Sequence, residues 1–168
     1  MIVKRLSDAI RDGDPIRAII RETGANQNGR TASITAPDTA AQSRLIQKCY
    51  SAAGLNPLET ALVEAHGTGT TVGDPREALA IGQTLGQGRG TGSNPLYMAS
   101  VKTNVGHAEA ASGLASIIKV AMSLEHGEIA PSLNFEKVNP SIDLKSLGLE
   151  VSRARHPVSR RVGRDQKH

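Results

Sequence analysis

The stretch ALVEAHGTGTTVGDPREALAIGQTLG, residues 61–86, decides how the chain is read. The apolar run Ala61 to Val63 reads as a short buried strand, after which the chain passes through His66 and two Gly-Thr pairs. Gly67 and Gly69 at a strand end mark backbone that must turn sharply or approach a ligand closely. Thr68 and Thr70 add short hydroxyls, each with one donor and two acceptor sites. His66 is a residue type able to offer a single ring N–H near neutral pH. A structural histidine in a hydrogen-bonded turn accounts for this segment, taken alone, equally well. The helix that follows has Asp74 as N-cap, Pro75 at the first helical position and Glu77 completing a capping box.

Working outward, a glycine-rich loop (GQGRGTGSNP, residues 86–95) leads to a strand, LYMASV, and then to a long helix in HAEAASGLASIIKVAMSLEHG ended by Gly127. Leu114, Ile117, Ile118, Ala121 and Leu124 recur at helical spacing, which predicts that they face the core. Upstream, DGDPIRAIIRETGAN reads as a turn and a strand over 16–23. TAPDTAAQSRLIQKCYSAAG reads as a helix with Pro37 in its first turn, Gly54 past its end and Leu45, Ile46, Cys49, Ala52 and Ala53 as its apolar stripe. Strand and helix alternate three times, so an α/β layer is expected.

Composition narrows the function. With 168 residues the chain suits one domain, and its single Phe, two Tyr and absent Trp leave a core of Ala, Leu, Ile and Val. No apolar run approaches a membrane span, no signal-peptide stretch opens the chain, and one cysteine suits a reducing cytosol; a cytoplasmic protein with no membrane partner is expected. The formal charge of +4 is concentrated at one end. Residues 153–168 hold six Lys or Arg and one acid, so the other 152 residues sum to −1. Lacking interleaved aromatics or a motif, that end reads as a solvated, disordered tail rather than a nucleic-acid site.

A second constellation lies in SVKTNVGHAEAASG, residues 100–113. A strand ends at Lys102, a polar loop carries Thr103 and Asn104, and Gly106-His107 opens the long helix. A histidine at a helix N-terminus feels the positive end of the dipole, which suits it to act as a neutral N–H donor. Function in α/β layers gathers at strand ends, and two histidines there suggest paired donors for a developing oxyanion. Metal binding would need three or four ligands, and neither segment offers a second close one. No GxGxxG or Walker pattern is present, so no phosphate cradle of those kinds is expected.

EAHGTGTTVGDPREALAIGQTLG and SVKTNVGHAEAASGLASIIKV resemble the two histidine motifs of β-ketoacyl synthases, the condensing enzymes of fatty-acid and polyketide synthesis. NQNGRTASITAPDTAAQSRLIQKCYSAAGL and LEHGEIAPSLNFEKVNPSIDL extend the likeness to the modular polyketide branch, fungal multidomain chains above all, over residues 3–145. The resemblance implies the C-terminal half of a thiolase-like α/β fold, with a mixed sheet and packed helices. It further implies that His66 and His107 are catalytic, hydrogen-bonding a thioester carbonyl as decarboxylation turns it into an enolate, and that Lys102 organises their electrostatics. Thr68 and Thr70 match threonines that hold a phosphopantetheine arm. Gly67, Gly69, Asn104 and Gly106 shape the site, and Glu109 matches a glutamate with a charge-pairing role. No cofactor or metal is implied beyond the phosphopantetheine of an acyl-carrier protein, which enters as the substrate arm.

The sequence also departs from that family. Its nucleophile lies in a DTACSSS-like segment that has no counterpart here, and the one cysteine, Cys49, falls on the apolar stripe of a helix and reads as a buried core residue. A closing GFGGTNAH-like strand is likewise without a match. The boundaries implied are 1–12 for the end of the first ketosynthase half, 13–132 for the synthase C-terminal domain, 133–151 for the start of an associated extension and 152–168 for the tail. A fold cut at both ends is therefore expected, with its partners an acyl-carrier protein and the missing N-terminal half. Family members dimerise, but the first half supplies much of that interface, so a homodimer follows from the family and not from these residues. The competing expectation is a catalytically silent module that binds a carrier protein or complements a ketosynthase half. A chain of either kind should expose an apolar patch.

Overall fold

The computed structural model describes residues 1–29, 37–89 and 94–158. Parallel strands β1 (Leu62–Glu64), β2 (Leu96–Ala99) and β4 (Leu149–Val151) form a sheet in the order β1-β2-β4. The register sets Leu62 beside Tyr97, Glu64 beside Ala99, and Leu96 beside Leu149. A separate antiparallel ribbon pairs β3 (Glu128–Ile129) with β5 (His156–Pro157). Both pairing modes expected of a mixed sheet are present, but in two sheets.

The helices are α1 (Leu6–Asp12), α2 (Thr39–Ala53), α3 (Gly73–Ile81), the short α4 (Lys102–Val105) and α5 (Ser112–His126). In α2 the Asp38 side chain accepts from the Ala41 amide, and Gly54 closes the helix in the left-handed region. Each end is therefore set by the residue type its orphan backbone groups need. Among the described residues the core gathers Ala65, Ala78, Ile81, Leu85, Leu96 and Leu149, with Ile46, Tyr50 and Leu147 against it. One turn of π-helix, Gly82–Gly86, follows α3 and sets Gly82 against the Leu147 side chain and Gly86 against the backbone before β4. A Cβ at Gly86 would lie 1.9 Å from the Leu147 carbonyl oxygen, so only glycine lets that segment enter the sheet.

Several expectations fail for physical reasons. Residues 16–23 run extended with no ladder partner among the described residues, and Ile16, Ile19 and Ile20 are exposed. A strand pattern sets the pleat, while the ladder requires a neighbour. Residues 6–12, to which no element was assigned, form α1. Cys49 is half-buried rather than buried, lying with Leu45 against Gly24, and Ala52 of the same stripe is exposed. The stretch after 133 holds two strands, and part of the expected tail is ordered. Ser152 is fully buried, its carbonyl accepts from the Ser132 amide, and the Tyr97 hydroxyl lies 3.0 Å from His156 Nδ1. The rest of that tail, 159–168, lies outside the described residues, as do 30–36 of the helix approach and 90–93 of the glycine-rich loop.

The largest difference concerns α5. Leu114, Ile117, Ile118 and Leu124, expected in the core, are 43–51% exposed, and Met122 joins them at 52%. Their helical spacing is real, but nothing among the described residues covers them.

Candidate functional site

His66 and Lys102 follow the C-terminal ends of the adjacent parallel strands β1 and β2, where the backbone leaves the sheet and side chains converge. His107 lies between α4 and a 3-10 turn, Glu109–Ala111, that leads into α5. The His66 and His107 rings meet edge to face, with centroids 5.4 Å apart and planes at 85°. The two motifs, 41 positions apart in sequence, thus deliver two imidazoles to one place.

The EAHGTGT backbone is held by carboxylates from α3. Glu77 accepts from the His66 amide at 2.7 Å and from the Gly67 amide at 2.9 Å. Asp74 accepts from the amides of Gly69 and Thr70 at 3.1 Å. These two residues were expected to cap their own helix. The structure gives that task to Thr70, whose Oγ1 accepts from the Gly73 amide at 3.0 Å. Four loop amides, those of His66, Gly67, Gly69 and Thr70, would otherwise seek water, and a carboxylate satisfies two at a time. The pattern that reads as a capping box is thus a clamp on the loop one turn earlier.

Two glycines make the loop path possible. Gly67 (φ +49°) and Gly69 (φ +77°) both adopt the left-handed region. At Gly67 a Cβ would also fall 2.9 Å from Ser100 Cβ. Ser100, buried at the end of β2, donates its hydroxyl to the His66 carbonyl at 3.3 Å and so links the two strand ends.

The surroundings of His107 fix its tautomer. The Glu109 amide donates to His107 Nδ1 at 3.1 Å, and the Ser112 hydroxyl lies 3.2 Å from the same atom. A backbone amide has only a proton to give, so Nδ1 accepts, and in the neutral ring the proton sits on Nε2. This replaces the helix-dipole argument, because α5 begins five residues after His107. Glu109 serves through its backbone: φ is +47°, its carbonyl accepts from Ser112, and no ion pair involves its carboxylate among the described residues. No ion-pair partner for the charge-pairing role expected of it lies among the described residues.

Lys102, half-buried, opens α4, and its carbonyl accepts from the Gly106 amide at 2.9 Å. Among the described residues its ammonium forms no salt bridge. Asn104 accepts from the Thr103 hydroxyl at 3.1 Å, and Gly106 (φ +72°) turns the chain toward His107. Thr68 is half-buried beside the exposed His66. Among the described residues no group of three or more His, Cys, Asp or Glu could hold a metal ion. None of their helices is long and apolar enough to cross a membrane.

This is an α/β unit of the thiolase-like type, with two imidazoles gathered at the ends of adjacent parallel strands. The family model for the β-ketoacyl synthase C-terminal domain matches residues 17–136, and the chain belongs to that family. A highly reducing polyketide synthase of Aspergillus niger is 54% identical over 162 residues, covering 95% of this chain and 6% of its own length. Another from Emericella nidulans is 56% identical over 151 residues, covering 90% and 6%. A Streptomyces albus oxazolomycin ketosynthase domain superposes with a TM-score of 0.86 at 37% identity, covering 93% of this chain and 28% of that one. The module 6 ketosynthase of the Bacillus subtilis bacillaene synthase gives 0.86 at 37%, covering 95% and 30%. The chain therefore spans a small fraction of its curated relatives and under a third of the solved ketosynthase domains.

Proposed function

We propose that this chain supplies the decarboxylating half of a β-ketoacyl synthase site in polyketide chain elongation. His66 and His107 donate ring N–H bonds to one thioester oxygen of a malonyl-type unit. As the bond to its carboxylate breaks, carbon dioxide leaves and the electron pair moves onto that oxygen as an enolate. The enolate carbon then attacks an acyl thioester, forming a C–C bond and expelling the cysteine thiolate that carried the acyl group. On this reading that thiol comes from residues outside this sequence, since Cys49 lies on the apolar stripe of α2 against Gly24. Thr68 and Thr70 would receive the phosphopantetheine arm of an acyl-carrier protein; Thr70 retains its hydroxyl proton for donation while its oxygen accepts from Gly73. Lys102 adds positive charge near the developing oxyanion, and the setting is the cytoplasm.

The observation that carries this reading is the His66–His107 pair, with Nδ1 of His107 already occupied and Nε2 left as the donor. Both rings are exposed, and donors facing water compete with it for the oxyanion. The site therefore needs a covering half before its donors reach full worth. The test measures carbon dioxide released from malonyl-pantetheine by this chain combined with a cysteine-bearing ketosynthase half. His66→Ala or His107→Ala should each cost about two to three decades in rate. Parent-like rates in both variants, or no release by the parent mixture, would refute the proposal.

The exposed apolar face of α5 favours a second reading, in which the chain complements a ketosynthase half or holds a carrier protein without catalysis of its own. Titration with the half domain and with phosphopantetheinylated carrier protein, followed by sedimentation, tests it. No association with either would sink it.

A further inference from the structure

The most deeply buried ion pair among the described residues lies beside the histidines without touching them. Glu64 ends β1, two residues before His66, and its side chain is 4% exposed. Its Oε2 accepts from Lys119 Nζ at 2.7 Å, and Lys119, on α5, is itself 13% exposed. Its Oε1 accepts from the amide of Val101, the residue before Lys102. A single carboxylate therefore touches all three segments that bear site residues: β1 leading to His66, the turn after β2 leading to Lys102, and α5 behind His107.

The attachment to α5 has a definite geometry. Ser112, the first residue of α5, contacts His107 Nδ1, and Lys119 follows seven residues later. Seven residues make about two helical turns, or roughly 10 Å, so both project from the same face of α5. The helix is fastened to the site at two points, Ser112 to His107 and Lys119 to Glu64. With both in place, α5 cannot slide or roll without carrying the His107 segment away from His66.

We infer that Glu64 and Lys119 are a positioning pair that sets the His66–His107 geometry. Glu64 acts through its neighbours, since both of its buried carboxylate oxygens are taken by protein donors. An ion pair of this burial is weak evidence for stability, because desolvating both charges offsets much of their attraction. What it supplies is a specific distance between β1 and α5. This deepens the donor-pair reading and rests on it for its consequence. The geometry itself is measurable on the chain without substrate, so a chain that never decarboxylates still reports on Glu64.

The test is nuclear magnetic resonance of the two imidazoles, with urea unfolding in parallel, on the parent and three variants. Lys119→Met leaves a buried carboxylate with one amide partner. Glu64→Gln/Lys119→Met keeps an acceptor for Val101 and leaves no unpaired charge, so its urea midpoint should lie nearer the parent's than that of Lys119→Met. Lys119→Arg preserves the charge pair. The His66–His107 inter-ring Overhauser contact should be lost in Lys119→Met and in the double variant, and kept in Lys119→Arg. Signals of α2, which packs mainly on α3, should stay in place throughout. If Lys119→Met does not fold, the double variant carries the test. A folded double variant that keeps the inter-ring contact at parental intensity would overturn the assignment, because a purely structural pair predicts that result.

Discussion

Glu77→Ala removes the acceptor that holds the amides of His66 and Gly67 at 2.7 and 2.9 Å. Bonds from a neutral donor to a charged acceptor contribute about 1.5–3 kcal/mol each when buried. The Gly67 bond is part-buried and takes the lower end of that range, about 1.5 kcal/mol. The His66 amide lies where water replaces much of the loss, so about 0.5–1 kcal/mol is assigned there. Alanine's better helix propensity returns a few tenths of a kcal/mol within α3. The sum is about 2 kcal/mol, which for a chain of this size lowers Tm by about 4–8 °C. Glu77→Gln keeps one carbonyl acceptor and should lose about half as much. Urea unfolding gives the global term, and amide hydrogen exchange at His66 and Gly67 the local one, with protection falling about tenfold per 1.4 kcal/mol. Unchanged protection at both amides, with stability within about 0.5 kcal/mol of the parent, would refute the clamp.

The two glycines of the motif should respond differently to the same methyl group. Gly69→Ala meets nothing within 4 Å and suffers only left-handed strain, about 1–2 kcal/mol, whereas Gly67→Ala also presses on Ser100 Cβ at 2.9 Å, adding about 1–3 kcal/mol. Equal losses in urea unfolding would show that Ser100 yields freely. Burial, and secondarily the charge of Glu150, raises the Tyr97 phenol above its ordinary value near 10. The folded state thus holds that proton more tightly, so the contribution is complete below the ordinary value and is lost as pH rises through the folded one. Unfolding free energy measured between about pH 9 and 11 should therefore fall more steeply in the parent than in Tyr97→Phe, and identical slopes would count against it.

Local signals in the sequence were legible because local chemistry enforces them. Gly54 and Gly127 end their helices in the left-handed region, and the strand-loop-helix order of both histidine motifs appears in the structure. The convergence of His66 and His107 follows from parallel pairing of β1 with β2, which spacing alone does not specify; the family likeness supplied it. Glu77 and Asp74 were visible as acids but assigned to the wrong amides. A carboxylate three residues into a helix serves either the cap or a preceding loop, and only the path of Gly67 to Thr70 decides between them. Glu64 carried no sequence signal, since one acidic residue at a strand end looks like any other until its partners on α5 and after β2 are in place.

The exposed face of α5 follows the same logic at larger scale. Leu114, Ile117, Ile118 and Leu124 satisfy the helical period whether they meet this chain's own core or another surface, because periodicity identifies an apolar face and not its cover. Burying such side chains contributes about 1.5–3 kcal/mol each, so this one face represents several kcal/mol left unrealised among the described residues. The opposite side of the helix is fastened by Ser112 and Lys119. A surface that covers the apolar face would press α5 toward β1, in the sense that keeps Lys119 on Glu64 and His107 beside His66. On the proposed reading, covering the helix and steadying the donor pair are coupled. A complementing half that binds α5 should strengthen the His66–His107 inter-ring contact, and an unchanged contact on binding would count against this coupling.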